Sequence, residues 1–479
     1  MRLCDQALIP LQFTLLLALM SVLLSAQGFP LDINIISGWF PPLIYCLAIV
    51  LILVSIGWRR GVWKKELLWG IPIGLGVAAI IWTLQSVVKF GGYELFLYPY
   101  FVWTSIVGFS IALIFLGWKK DSWLLRVLAA LAIVLSITGL GTAVNQKYGY
   151  YPTLGNVPIF GGQTAENTSS FADLSLIQKE VAKTGKLPAH GETVTVTIPA
   201  TKSGFSQNQA NVYLPPAWFQ NPTPKLPVIE MFPGSPGTNH DWFVGGGADT
   251  TSDTFSATNK GLSPIIVSPD VNQDPTSENS DSECSDTASQ GHVQTYLVQD
   301  LPTYIIKTFQ TAPLGKQWGV SGLSEGGTCS SILGFRFPQD FSVMASFSGD
   351  SSPSYNGESK AQTITDLYGG SAAAYSANDP TALSIGKFPD SSAWFAVGQQ
   401  DDTGSPVASE FQDAAKSLYA LSTAPRVGMQ SVCLSLTPGG HDFPFWKSAF
   451  ENALPWIAWR LGIAPEPKSV QATCKPAIP

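Results

Sequence analysis

The stretch Trp318–Ser331, WGVSGLSEGGTCSS, decides the fold. The apolar run QWGVSG leads into it and EGGTCSSILGFRF leads out, so it reads as a strand turning directly into a helix. At the turn, Gly322-Leu323-Ser324-Glu325-Gly326 fits G-x-S-x-G. On a strand-to-helix turn that pattern forces the serine into a strained conformation with its hydroxyl exposed. The glycines stand where the chain folds back so tightly that a Cβ would clash. The following helix points its N-terminus at Ser324, which favours negative charge developing there. Ser324 is therefore the candidate nucleophile.

A serine nucleophile needs a base and a group that orients the base. With this motif the chain order is Ser, then acid, then His. The histidines are His190, His240, His292 and His441, and only His441 follows Ser324. It lies in TPGGHDF, a glycine-bounded loop directly after an apolar run. Between the two, AWFAVGQQDD ends a strand in two carboxylates, Asp401 and Asp402, either of which can be the acid. An oxyanion hole needs two backbone N–H groups. Glu325, next to the nucleophile, is expected to give one. Ser235, in the loop of VIEMFPGSPGTNHDW, is expected to give the other, with Gly234 as the alternative. His240 reads as a loop histidine with local hydrogen bonds, and Trp242, Trp394 and Trp446 as packing residues.

Working outward, short apolar runs alternate with helical stretches. ETVTVTIPA alternates like an exposed strand, followed by ANVYLPPAW, LPVIEMF, SPIIVSPD, FSVMASFSG, AWFAVGQ and SVCLSLTPG. The later runs are continuously apolar, as strands buried on both faces are. VQTYLVQDLPTYIIKTF and SPVASEFQDAAKSLYALS have helical spacing. The pattern predicts a mainly parallel sheet flanked by helices.

The beginning of the chain is of another kind. Five apolar spans, Leu8–Gln27, Trp39–Trp58, Leu67–Val87, Tyr98–Trp118 and Val127–Val144, are each about as long as a membrane-crossing helix. Trp39, Trp58, Trp118 and Trp123 lie near their ends, where indole rings favour the interface. RRGVWKK (Arg59–Lys65) and KKDSWLLR (Lys119–Arg126) are basic connections, whereas GFPLDINIISG and GGYELFLY contain no Lys or Arg. Basic loops stay in the cytoplasm, which puts everything after Val144 outside. No ionisable residue occupies the middle of a span, so no transport or proton-relay site is expected. The expected organisation is a membrane region over 1–145, an extracytoplasmic linker over 146–190, a catalytic domain over 191–465 and a tail over 466–479.

Charge follows the same division. Met1–Val144 carries nine basic and five acidic residues, and the remainder 18 and 29. An acidic catalytic half excludes nucleic acid as a partner, because phosphate contacts need a basic face. Cys284, Cys329, Cys433 and Cys474 belong to that half, and in an oxidising compartment four cysteines form two disulfides. Of the three possible pairings, Cys284–Cys329 with Cys433–Cys474 is expected. No C-x-x-C spacing and no EF-hand pattern occurs, so no metal site is expected. The acidic run Asp270–Asp286 reads as a solvated loop tied by Cys284. Specificity is expected to lie in the loops Asp270–His292 and Asn356–Lys387.

The segments VYLPPAWF, VIEMFPGSPG, GVSGLSEGGTCSSILGFRFPQDFSVMASFSGD and GGHDFPFWKSAFENALPWIAWRL carry a resemblance. Over Glu192–Leu461 the chain resembles the esterase family of α/β-hydrolases, which includes esterase D, feruloyl esterases and the antigen 85 mycolyltransferases. The membrane-anchored arrangement is most similar to actinobacterial members. The resemblance implies an α/β-hydrolase fold, Ser324 as nucleophile, His441 as base and no cofactor. The G-x-x-D spacing usual in such hydrolases, here Gly398–Asp401, favours Asp401. The chain departs from antigen 85 in an Asp acid rather than Glu, and in Glu325 where an apolar residue stands. The expected activity is serine ester hydrolysis outside the cell membrane. The alternatives are acyl transfer onto envelope sugars or glycolipids, and non-catalytic envelope binding on a hydrolase scaffold.

Overall fold

Among the described residues, four apolar helices come first: α1 (Phe40–Ser55), α2 (Trp63–Val88), α3 (Tyr98–Gly117) and α4 (Trp123–Tyr148). The structure, a computed structural model, describes residues 31–58, 61–88, 98–117, 122–160, 168–274, 280–401 and 410–476. The expected span Leu8–Gln27 lies outside the described residues. Trp63–Leu84, Pro99–Gly117 and Trp123–Tyr148 are long and apolar enough to cross a membrane. The expected span Trp39–Trp58 is shorter, a 16-residue helix that stops where Ile56 becomes extended. Leu68, Trp82, Phe115 and Val134 face outward, while Ser110 and Ser136 meet at 3.1 Å between α3 and α4. Apolar side chains outside and small polar contacts inside are how helices pack in lipid.

α4 runs past its expected end and is closed by Gly149 at φ 66°. Much of the expected linker is ordered. α5 (Phe171–Thr184) starts at a capping box in which Ser170 and Asp173 exchange side-chain-to-backbone bonds of 2.9 and 3.2 Å. It buries Leu174 and Val181 in the core of the α/β region. Turn-rich flanking sequence hides this helix from a compositional reading.

The sheet strands are β1 (Glu192–Thr197), β2 (Gln209–Leu214), β3 (Val228–Phe232), β4 (Ile265–Pro269), β5 (Gly315–Leu323), β6 (Phe341–Phe347), β7 (Ser392–Gly398), β8 (Ser431–Thr437) and β9 (Thr473–Pro476). Their order is β1-β2-β4-β3-β5-β6-β7-β8-β9. The strands from β4 to β8 in this order are parallel; β1–β2, β2–β4 and β8–β9 pair antiparallel. β9 makes part of the expected tail an edge strand, held to β8 by Cys433–Cys474 with Cα atoms 4.0 Å apart.

Side chains alternate across a strand, so each strand feeds two cores. On one face Val228, Ile265, Val320 and Phe395 pack with α7 (Leu301–Phe309), α8 (Glu325–Arg336) and α9 (Glu410–Ser422). On the other, Ile229, Ile266, Ala345 and Trp394 pack against α6 (Ala248–Thr258) and α10 (Phe443–Arg460). α10 supplies Phe450 and Trp456, whose truncation to Ala would each cost about 3–5 kcal/mol. Trp242 and Trp394 are fully buried packing residues. This double layer holds the carboxyl ends of β3, β5, β6, β7 and β8 side by side, and the loops leaving them meet.

Candidate active site

Ser324 stands between β5 and α8 at φ 54°, a left-handed value that is strained for any residue but glycine. Its N–H donates to the Phe347 carbonyl at 2.9 Å, and its own carbonyl accepts from Gly327 at 2.8 Å. A Cβ on Gly322 would lie 2.0 Å from the Gly326 carbonyl oxygen, and one on Gly326 would lie 2.3 Å from that of Phe232. The turn therefore tolerates no side chain at either place.

His441 Nε2 lies 2.9 Å from Ser324 Oγ, and His441 Nδ1 lies 2.9 Å from Asp401 Oδ1. Asp401 is buried and follows β7; His441 is mostly buried and follows β8. Asp402 lies outside the described residues. The two loops lock together, since Gln400 N–H donates to the Gly439 carbonyl at 2.9 Å and Gln400 Oε1 accepts from Gly439 N–H at 2.8 Å. The imidazole sits between Phe411, 4.6 Å away and tilted by 30°, and Trp446, 4.9 Å away and edge-on.

Ser348, which follows β6, escaped the sequence analysis. It is buried at φ 53°, and its hydroxyl donates to Asp401 Oδ2 while accepting from Trp446 Nε1 at 3.2 Å. Trp446 thus does more than pack, because it anchors the serine that holds the acid. The available signal was position: Ser348 begins the loop after a parallel strand, as Asp401 does.

The loop after β3 brings its backbone to the nucleophile. A Cβ on Gly234 would lie 3.1 Å from the Ser324 Cβ. Ser235 is the next residue, and its N–H has no backbone acceptor among the described residues. The Glu325 N–H is at the first position of α8, where a helix offers no acceptor. The loop is held from below. Asp270 accepts from Asn239 N and Nδ2 at 2.8 and 3.0 Å, and Asp241 accepts from Thr238 Oγ1 and Tyr150 OH at 3.1 and 2.8 Å. Burial raises Asp270 to about 7 and Asp241 to about 6. His240 Nδ1 accepts from Asn211 Nδ2 at 2.9 Å, a local role, and burial lowers its pKa.

Among the described residues, Asp274 and Asp286 of the acidic run after β4 are exposed, but most of the run is not solvated. Asp281, Ser282, Glu283 and Cys284 are buried against the nucleophile helix. The Glu325 carboxylate receives Asn272 Nδ2 at 2.8 Å, Ser282 N–H at 3.0 Å and Glu283 N–H at 3.1 Å. Cys284 and Cys329, with Cα atoms 5.3 Å apart, form a disulfide to the same helix. Burial, followed by the charge of Asp281, pushes Glu325 well above the usual carboxylate range, and Glu283 likewise. Asp281 and Glu283 in turn receive the N–H groups of Asn356 (3.0 Å) and Ser354 (2.6 Å), so the two expected specificity loops form one wall. A count of charges suggests solvation; what overturns it is a set of partners contributed from two distant segments, the helix of Glu325 and Cys329 and the loop of Ser354 and Asn356. Among the described residues no cluster of three or more His, Cys, Asp or Glu has the arrangement of a metal site.

The family model described as "Putative esterase" matches residues 206–457, more than half of the chain. An uncharacterized protein of Corynebacterium glutamicum is 31% identical over 352 residues, 71% of this chain and 77% of that one. Among solved structures, a ferulic acid esterase is 19% identical over 57% of this chain and 99% of its own, at a TM-score of 0.46. The S-formylglutathione hydrolase of Agrobacterium tumefaciens is 18% identical over 58% and 98%, at 0.45. MPT51 (FbpC1) of Mycobacterium tuberculosis is 17% identical over 56% and 97%, at 0.41. The matched region contains Ser324, Asp401 and His441 together, and the chain is a member of this esterase family, an ester hydrolase or acyltransferase.

Proposed function

We propose that the protein is a membrane-anchored serine esterase whose catalytic domain lies outside the cell membrane. The observation that carries this is the unbroken chain Asp401–His441–Ser324, joined at 2.9 and 2.9 Å beneath a strained elbow. With the proton on Nδ1, His441 donates to Asp401 and accepts from Ser324 at Nε2. Ser324 Oγ attacks the ester carbonyl carbon as its proton passes to Nε2. The oxyanion forms against the N–H groups of Glu325 and Ser235. His441 then protonates the leaving alkoxide, the carbon–oxygen bond breaks, and the acyl group stays on Ser324. Water attacks this ester, gives a proton to His441, and the acid leaves as Ser324 recovers the proton. Asp401 holds the tautomer and balances the imidazolium throughout. Three membrane-length helices and the basic connections between spans support the anchored, outward-facing placement.

The test is turnover of a p-nitrophenyl ester chain-length series by the full chain in detergent, beside Ser324→Ala. Activity is expected in the wild type and a loss of about 10⁴-fold or more in the variant. A folded wild type inert on every ester would contradict the reading.

A further inference from the structure

The end of the helix bundle that joins the α/β region contains a cavity of about 460 Å³. That is within the range of small-molecule sites, about 300–1,000 Å³. Its lining comes from three helices: Tyr45 of α1, Tyr100 and Trp103 of α3, and Ala143, Gln146 and Lys147 of α4. The floor is apolar, with Trp103 and Ala143 buried and the Tyr45 and Trp103 rings 4.6 Å apart. The polar groups include the Tyr45 hydroxyl, bonded to Gln146 Oε1 at 2.6 Å, the Tyr100 hydroxyl, and Lys147, the one charged residue of the lining among the described residues. An apolar floor beneath a polar, cationic rim suits an acyl chain with a polar head, as interfacial side chains do in general.

The same helix end rests on the catalytic loops. A Cβ on Gly149 would lie 2.3 Å from Pro444, and one on Gly440, the residue before His441, would lie 3.6 Å from Lys147 Nζ. The Tyr150 ring packs edge-on against Phe443 at 4.9 Å, and its hydroxyl donates to Asp241 of the oxyanion loop. One turn of α4 therefore lines the cavity with Gln146 and Lys147, and the residues that follow hold both sides of the site.

We propose that this cavity receives the acyl chain of a membrane lipid ester, so that the substrate reaches Ser324 from the bilayer rather than from water. The proposal rests on the esterase reading and adds the substrate class. Lys147 meets the headgroup beside the His441 loop, and the aromatic floor holds the chain. Docking of α4 fixes the cavity relative to the nucleophile. Short water-soluble esters bypass the cavity.

The test uses the full chain in lipid nanodiscs. The ratio of kcat/KM for monopalmitoylglycerol to that for p-nitrophenyl acetate is measured in wild type and in Ala143→Trp, which fills the cavity. The ratio is expected to fall at least tenfold; an unchanged ratio in a folded variant overturns the proposal. Wild type is also photolabelled with a diazirine-bearing palmitoyl monoglyceride, which needs no variant to fold. Label is expected on peptides containing Tyr45, Trp103 or Ala143. Label confined to outward-facing positions such as Leu68, Trp82 and Phe115 overturns the proposal, including the case in which another segment of the chain fills the cavity. If wild type hydrolyses no ester, the esterase reading fails, and the labelling pattern still decides whether the cavity takes lipid.

Discussion

The two halves of the site are built by different means. The nucleophile half is fixed by the backbone: Ser324 stands at φ 54° in a turn so tight that neither Gly322 nor Gly326 could carry a side chain. The acid–histidine half is fixed by side chains. Ser348, Trp446 and Gln400 come from separate loops and orient Asp401 and His441 through hydrogen bonds. Steric constraint is all-or-none, whereas a hydrogen bond contributes a graded amount. The first half should therefore fail abruptly under substitution and the second in steps.

Gly322→Ala should give the largest effect. A methyl 2.0 Å from a carbonyl oxygen forces the turn open, and both soluble yield and ester turnover should be lost. Near-normal activity would show that the elbow is less rigid than described. Asp401→Asn should lower kcat by about 10⁴-fold, with the fold intact by circular dichroism, because the wrong imidazole tautomer is then favoured. Asp402→Asn should change kcat less than twofold; the reverse ranking would move the acid by one residue. Ser348→Ala removes one hydrogen bond to a carboxylate, worth roughly 1.5–3 kcal/mol, so kcat should fall about 10- to 100-fold. The midpoint of its pH–rate profile should shift while KM is little changed. A fall without a shift would make Ser348 merely structural.

The smallest effect concerns the support of the oxyanion loop. Asp270 and Asp241 titrate near 7 and 6 in the folded chain, above the ordinary carboxylate range near 4. The folded state then binds more protons than the unfolded one. The stability these groups contribute is complete below about pH 4 and is lost as pH rises through 6 and 7. Asp270→Asn should flatten the fall in Tm between pH 4.5 and 8. An unchanged slope would place the titration elsewhere.

This contrast also explains what could be read in advance. Ser324, Asp401 and His441 could be proposed as a set because each sits at the end of an apolar strand, in an order the turn motif constrains, and the structure brings the three side chains together. Glu325 and Ser235 could be proposed only as neighbours of such positions. Ser348 was not, since one serine after FSVMASF looks like the many others in the chain. The buried Asp281 and Glu283 were read as solvated for a related reason. Their donors, Asn356 and Ser354, are separated from them in sequence and meet them only in the folded state. The helix Phe171–Thr184 and the strand Thr473–Pro476 were lost in segments whose composition suggests linker and tail. Local sterics and periodicity are written in the sequence, while long-range polar partnership is not.

The central claim is that Ser324 is an activated nucleophile, and labelling of the full chain in detergent with a fluorophosphonate probe tests it most directly. Peptide mapping should place the adduct on Ser324, and His441→Ala should abolish it. A folded wild type that takes no label, or takes it at another serine, would contradict the account.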